Sequence, residues 1–168
     1  MSQRRLHIAP ISFVFALLGA CAGTPTLDLD GVNRDLTPAR AAANIDAVRG
    51  QRALWGGVIV ASRNLKDATQ IEVLGYPLNR NAEPKRNDPP QHRFLVMQPG
   101  YLETADYTEG RLISAVGTVT GTQDGKVGEA GYVYPVLNAS QLHLWPRETQ
   151  TRSSEPRIHF GVGVIFGR

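Results

Sequence analysis

Between Leu54 and Trp145 the chain repeats one pattern: short runs rich in β-branched and aromatic residues, each closed by polar residues, glycine or proline. "LWGGVIVAS" and "TQIEVLGYPL" are separated by the turn-like "RNLKDA", and "HRFLVMQ" is reached through "NRNAEPKRNDPPQ", whose prolines and charges forbid a regular element. "GRLISAVGTVTGTQDGKVGEAGYVYPVLNASQLHLW" supplies the remaining strands. Within it, Asp124-Gly125 predicts a hairpin turn, and Gly117, Gly121, Gly128 and Gly131 mark places for bulges or sharp bends. Runs of this kind suit a pleated, half-buried surface. Several short, closely spaced strands predict a mainly β domain, a small closed or half-closed antiparallel β-barrel, with a β-sandwich as the alternative.

One helix precedes the strands. In "LTPARAAANIDAVRGQ", Thr37 suits a helix N-cap, Pro38 the first helical position and Gly50 the position after the last turn, which predicts a helix over 38–49. Ala41, Ile45 and Val48 recur at helical spacing and form a narrow apolar face that packs on a sheet. Residues 22 to 36 are rich in Thr, Asp, Gly and Asn, and read as a tether. At the other end, "RETQTRSSEPR" reads as a polar linker, and "IHFGVGVIFGR" as a strand with one apolar face formed by Phe160, Val162, Val164 and Phe166. The expected organisation is a signal peptide over 1–20, a lipidated tether over 21–36, a helix plus β-barrel domain over 37–146, and the linker and C-terminal strand over 147–168.

The signal peptide follows from Arg4 and Arg5, an apolar stretch from Ile8 to Leu18, and small residues before Cys21. That stretch is shorter than the ~20 apolar residues a helix needs to cross a bilayer, so it is not a membrane span. Cys21 is the one cysteine of the 168 residues, so a disulfide or a soft metal site within the chain is excluded. Leu18-Gly19-Ala20-Cys21 resembles the lipobox of bacterial lipoproteins. That resemblance implies S-diacylglycerol and N-acyl groups on Cys21, and Ala22 after it implies delivery to the outer membrane. Loss of the leader lowers 18 basic side chains to 16 against 15 acidic ones, so the mature chain is nearly neutral and carries no electrostatic signature of a nucleic-acid partner.

Catalytic constellations are hard to assemble from what remains. His92, His143 and His159 share no spacing that brings two of them together on a strand or helical turn, and neither a Gly-x-Ser-x-Gly elbow nor a P-loop is present. Glu103, Asp106 and Glu109 fall in a loop, where surface charge is the ordinary explanation. The chain is read as a protein without enzymatic activity, cofactor or metal. Aromatic residues are the main binding candidates, because rings on a barrel face stack on sugars. Tyr76, Tyr132 and Tyr134 are the residues picked as possible ligand contacts, with core packing as the commoner fate of strand aromatics.

Trp55-Gly56-Gly57-Val58-Ile59, "TQIEVLGYPL", Arg93-Phe94, "PGYLETADYTEGR", "GKVGEAGYVYPV" and His143-Leu144-Trp145 together resemble, in one consistent order, the Slp family of outer-membrane lipoproteins, named for a starvation-inducible member. A departure lies at His92, where a glycine commonly precedes the Arg-Phe pair. The resemblance implies a lipidated protein on the periplasmic side of the outer membrane, with a structural or binding role under starvation or stress, and it supplies no catalytic residues. Its partners would be the outer membrane through the anchor and an envelope protein or glycan. The competing class is an envelope hydrolase or a glycan-binding module. The strand count also looks like an oligonucleotide/oligosaccharide-binding (OB) barrel, a likeness of fold that does not fix function.

Overall fold

The computed structural model describes residues 27–147. In chain order these form β1 (Val32–Asn33), α1 (Pro38–Ala43), α2 (Ile45–Val48), β2 (Arg52–Asn64), β3 (Ala68–Gly75), β4 (Arg93–Pro99), β5 (Leu112–Val127) and β6 (Ala130–Leu144). The domain is mainly β, as the strand-like runs predict. All six strands belong to one sheet of order β1-β2-β3-β4-β6-β5, rather than to two facing sheets, and a further β2–β5 pairing closes β2, β3, β4, β6 and β5 into a circuit.

Strand β2 makes the closure possible. Its first half pairs with β5 from Arg52↔Thr118 to Val58↔Leu112, and its second half with β3 from Gly57↔Gly75 to Asn64↔Thr69, with a register shift between Ile59 and Ala61. Where the strand changes partner, a side chain on Gly57 would run into the Leu74 carbonyl, so close approach of two backbones demands glycine there. The sheet is not wholly antiparallel. β4 and β6 run parallel over Leu95–Met97 and Val136–Asn138, and β1 runs parallel to the start of β2. The cause for β4 and β6 is connectivity: β5 is inserted between them in the chain but lies on the far side of β6, so β6 arrives beside β4 in the same direction.

Two further expectations are corrected. Asp124 and Gly125 lie inside the β5–β6 ladder, opposite Val133 and Tyr132, and the hairpin turns at Gly128-Glu129 instead. Gly128 takes φ +60, the first-position glycine of a type II′ turn. Gly125 is needed for another reason, because a Cβ there would come within 2.9 Å of the Tyr134 ring. Gly117 and Gly121 do fall at register shifts of this ladder, whereas Gly131 pairs regularly with Lys126. The helix expected over 38–49 is two short helices, broken at Asn44 with φ −149 and ψ 72. Asparagine competes with helix by local hydrogen bonding, and only six residues precede it in α1. Thr37 caps α1 by accepting from the Arg40 N–H, and Pro38 opens it, as the sequence predicts.

Inside the circuit, Ile59, Ile71, Val73, Phe94, Val96, Ile113, Val119 and Leu137 are fully buried. Trp55 meets Phe94 edge to face at 5.2 Å and donates its indole N–H to the Leu36 carbonyl at 2.6 Å. Leu36 and Ala41 enter this core, and Ile45 and Val48 pack on it, so the predicted helical face is used across the break at Asn44. The tether expected to run to residue 36 is shorter. Leu27, Leu29 and Val32 pack with Leu78 on a second buried cluster of Leu54, Ala82 and Val116, and Arg52 holds the same segment by donating to the Asp30 carbonyl. Composition alone misread it, because its aspartates and glycine conceal leucines spaced to cover one strip of sheet.

Candidate functional site

Alternation along the central strands decides what the outer surface carries. Ile71 and Val73 point into the core, so Gln70 and Glu72 point out; Phe94 and Val96 point in, so Arg93 and Leu95 point out. Beyond Gly121 and Val136 the β5–β6 hairpin pairs only with itself and forms an arm. The arm lies across this outer face. Gln70 Nε2 donates to Gln123 Oε1 at 3.3 Å, and the Tyr134 hydroxyl lies 3.2 Å from Glu72 Oε1 and 3.1 Å from the Lys126 carbonyl. Tyr132 accepts the Arg93 backbone N–H at 2.8 Å. His92 stacks on the Tyr132 ring at 4.6 Å and donates from Nε2 to the Val133 carbonyl at 2.9 Å. His92 therefore fastens the arm.

Between arm and face lies a cleft of about 330 Å³. Arg63, Gln70 and Glu72 line its sheet side, Gln123, Lys126 and Tyr134 its arm side, and Ala61 and Leu95 complete it. Glu72 is the one carboxylate in the lining, and Arg93 Nη1 holds it at 2.6 Å. Arg63 Nε donates to Gln70 Oε1 at 2.5 Å. Burial, followed by the nearby Glu72 charge, raises the pKa of Tyr134.

The aromatic candidates are divided by the fold. Tyr132 and Tyr134 come together on the arm, with ring centroids 4.8 Å apart. Tyr134 is only 4% exposed, and the Gly125 backbone lies against its ring, so it offers the cleft an edge and a hydroxyl rather than a stacking face. Tyr76 lines a separate cavity of about 170 Å³ with Arg34, Trp55, Leu78 and Gln91. Glu103 accepts from the Ala105 N–H, organising its own loop turn. His143 sits edge-on to Trp145 at 4.3 Å, and burial lowers its pKa. Among the described residues no three His, Cys, Asp or Glu side chains gather as metal ligands. Cys21, His159, the linker past Arg147 and the C-terminal strand lie outside the described residues. Gln70, Glu72, Arg93 and Gln123 were not singled out as candidates; their signal is polarity at the outward positions of strands whose inward positions are apolar.

Fold and site thus define a small mainly β domain with a polar cleft roofed by a β-arm. The family model described as the outer membrane lipoprotein Slp family matches residues 18–163, and the chain belongs to that family. It is 33% identical over 122 residues to the uncharacterized lipoprotein YeaY of Escherichia coli K12, covering 70% of this chain and 63% of YeaY. Over 140 residues it is 31% identical to an uncharacterized protein of Haemophilus influenzae, covering 80% of this chain and 73% of the relative. The outer membrane protein Slp of E. coli K12 is 28% identical over 117 residues, covering 70% of this chain and 62% of Slp. The chain therefore spans less than two thirds of the length of YeaY and of Slp.

Proposed function

We propose that this chain is a lipid-anchored binding module of the outer membrane, facing the periplasm, whose site is the cleft beneath the β-arm and whose ligand is an envelope glycan. The observation that carries the reading is the burial of Gln70, only 5% exposed, beside Glu72 and Arg63 on an outward sheet face where water would ordinarily cover it. Amide, guanidinium, carboxylate and phenol groups on opposite walls offer both donors and acceptors to a ligand dense in hydroxyls. The strand circuit and its parallel β4–β6 pair support an OB-like reading of the fold, and the cleft lies between the sheet face and its last hairpin. In this reading Cys21 carries the S-diacylglycerol and N-acyl groups. The association with starvation rests on the family resemblance.

Binding is favoured over hydrolysis because glycoside cleavage ordinarily needs two carboxylates about the scissile bond, and this cleft is lined by Glu72 alone, already held by Arg93. Titration of the mature protein with purified envelope glycans, with turnover followed in parallel, tests the reading. Saturable binding without turnover is expected, weakened about tenfold by Gln123→Ala or Arg63→Ala, the loss of one or two well-placed polar contacts. Turnover, or binding indifferent to both substitutions, contradicts it.

A further inference from the structure

A second polar cavity, of about 290 Å³, lies where the chain leaves β6. Three arginines line it, Arg86 from the β3–β4 connection, Arg111 at the start of β5 and Arg147 after β6, together with Thr108 and one acidic residue, Glu109. Three guanidinium groups against one carboxylate leave a local excess of positive charge. None of the three makes an ion pair with an acidic side chain among the described residues, whereas Arg49, Arg52 and Arg93 all do.

Arg111 is held without being neutralised. It donates from Nη1 to the Asp106 carbonyl at 3.1 Å and from Nη2 to the Trp145 carbonyl at 2.8 Å, and its buried Nε has no hydrogen-bond acceptor among the described residues. A buried guanidinium N–H without an acceptor is costly, and an acceptor brought by an anionic ligand would relieve that cost. Arg147 donates to Thr108 Oγ1 at a long 3.4 Å, and Arg86 stands exposed at the rim, so both are available to a ligand. Planar guanidinium forks around one small cavity match the oxygens of a phosphate group.

From these observations we propose that Arg86, Arg111 and Arg147 form a binding site for a phosphate group, distinct from the cleft beneath the arm. Two sources share this chemistry, lipid headgroups and free phosphate, and the position of the site favours the headgroup. Trp145, whose carbonyl holds Arg111, donates its indole N–H to Ser114 Oγ at 2.9 Å, and Ser114 donates to the Ala82 carbonyl at 2.5 Å. Ala82 belongs to the cluster on which Leu27 and Leu29 pack. Leu27 is six residues from Cys21, a reach of about 20 Å when fully extended. An anchor at Cys21 therefore keeps this side of the domain near the headgroups. The headgroup source rests on anchoring at Cys21, while the site itself does not.

Arginine modification by phenylglyoxal, mapped by peptide mass on the full chain, tests the proposal residue by residue, with exposed Arg80 as the reference. In detergent, inorganic phosphate is expected to slow modification of Arg86 and Arg147 about tenfold relative to Arg80, compared with chloride at equal ionic strength. The lipidated chain in phosphatidylglycerol-containing vesicles is expected to show the same protection relative to phosphatidylcholine alone. Arg147→Gln should abolish the protection at Arg86, and Glu109→Gln should lower the phosphate concentration required severalfold; both positions are exposed, so the fold should tolerate either change. Protection by phosphate without protection by vesicles identifies free phosphate as the source. Equal modification of all three arginines under every condition, or protection at Arg86 that survives Arg147→Gln, overturns the site.

Discussion

At the scale of single residues, Phe94 and His143 show how differently two strand positions can matter. Phe94 is fully buried and meets Trp55 edge to face, so Phe94→Ala leaves a cavity at the centre of the circuit. Its expected cost is about 3–5 kcal/mol, read by chemical denaturation, and a loss below about 1 kcal/mol would contradict this placement of the core. His143 carries a smaller, pH-dependent role. Burial lowers its folded pKa below the ordinary value of 6.5, so the unfolded chain takes up the proton more readily. Its contribution to stability is present above about pH 6.5 and is lost as pH falls through the lower folded value. Melting temperature should therefore decline between pH 7.5 and 5, and decline less in His143→Asn; superimposable pH profiles for the two proteins would refute that role. Neither residue's environment follows from alternation alone, since His143 also borrows the Trp145 ring.

The arm is the element with the most consequence. It depends on cross-face contacts rather than on its own ladder, because a lone two-stranded ribbon is marginal in water. One of those contacts is made by Glu72, which faces the Tyr134 hydroxyl and is itself held by Arg93 of the neighbouring strand β4. Glu72→Ala with Tyr134→Phe should loosen the arm while sparing the circuit. Amides of 122–134 are expected to exchange about tenfold faster, with those of Ile71, Val73 and Val96 unchanged; equal acceleration everywhere would mean that arm and core unfold as one unit. The legibility of elements followed the same division. Strand existence, the Thr37 cap and the glycine bulges at 117 and 121 were readable from local chemistry. The turn at Gly128 was not, because Asp124-Gly125 carries the stronger local signal and is overruled by Tyr134 packing on Gly125.

For the whole molecule, attachment and folding are separable. Among the described residues no helix is long and apolar enough to cross a membrane, a statement that leaves strands aside. In the function proposed above, the lipid on Cys21 carries the attachment. Cys21→Ser is expected to move the protein out of the outer-membrane fraction on a density gradient while the melting temperature of the domain stays the same. Retention of the unlipidated chain in that fraction would point to a protein receptor instead. Deleting 27–36, by contrast, should destabilise the domain, because Leu36 and the Leu27–Val32 strip are part of its buried surface.

The class of this protein was readable from its residues: the β-branched runs and the motifs in family order each act over a few neighbouring positions. The sites were not. Glu72 meets Tyr134 across 62 positions, and Arg86, Arg111 and Arg147 gather from three separate connections around one cavity. Such meetings depend on which strand closes the circuit and how far the last hairpin folds back. Local propensity carries no record of either, because the deciding contacts exist only once the sheet has closed.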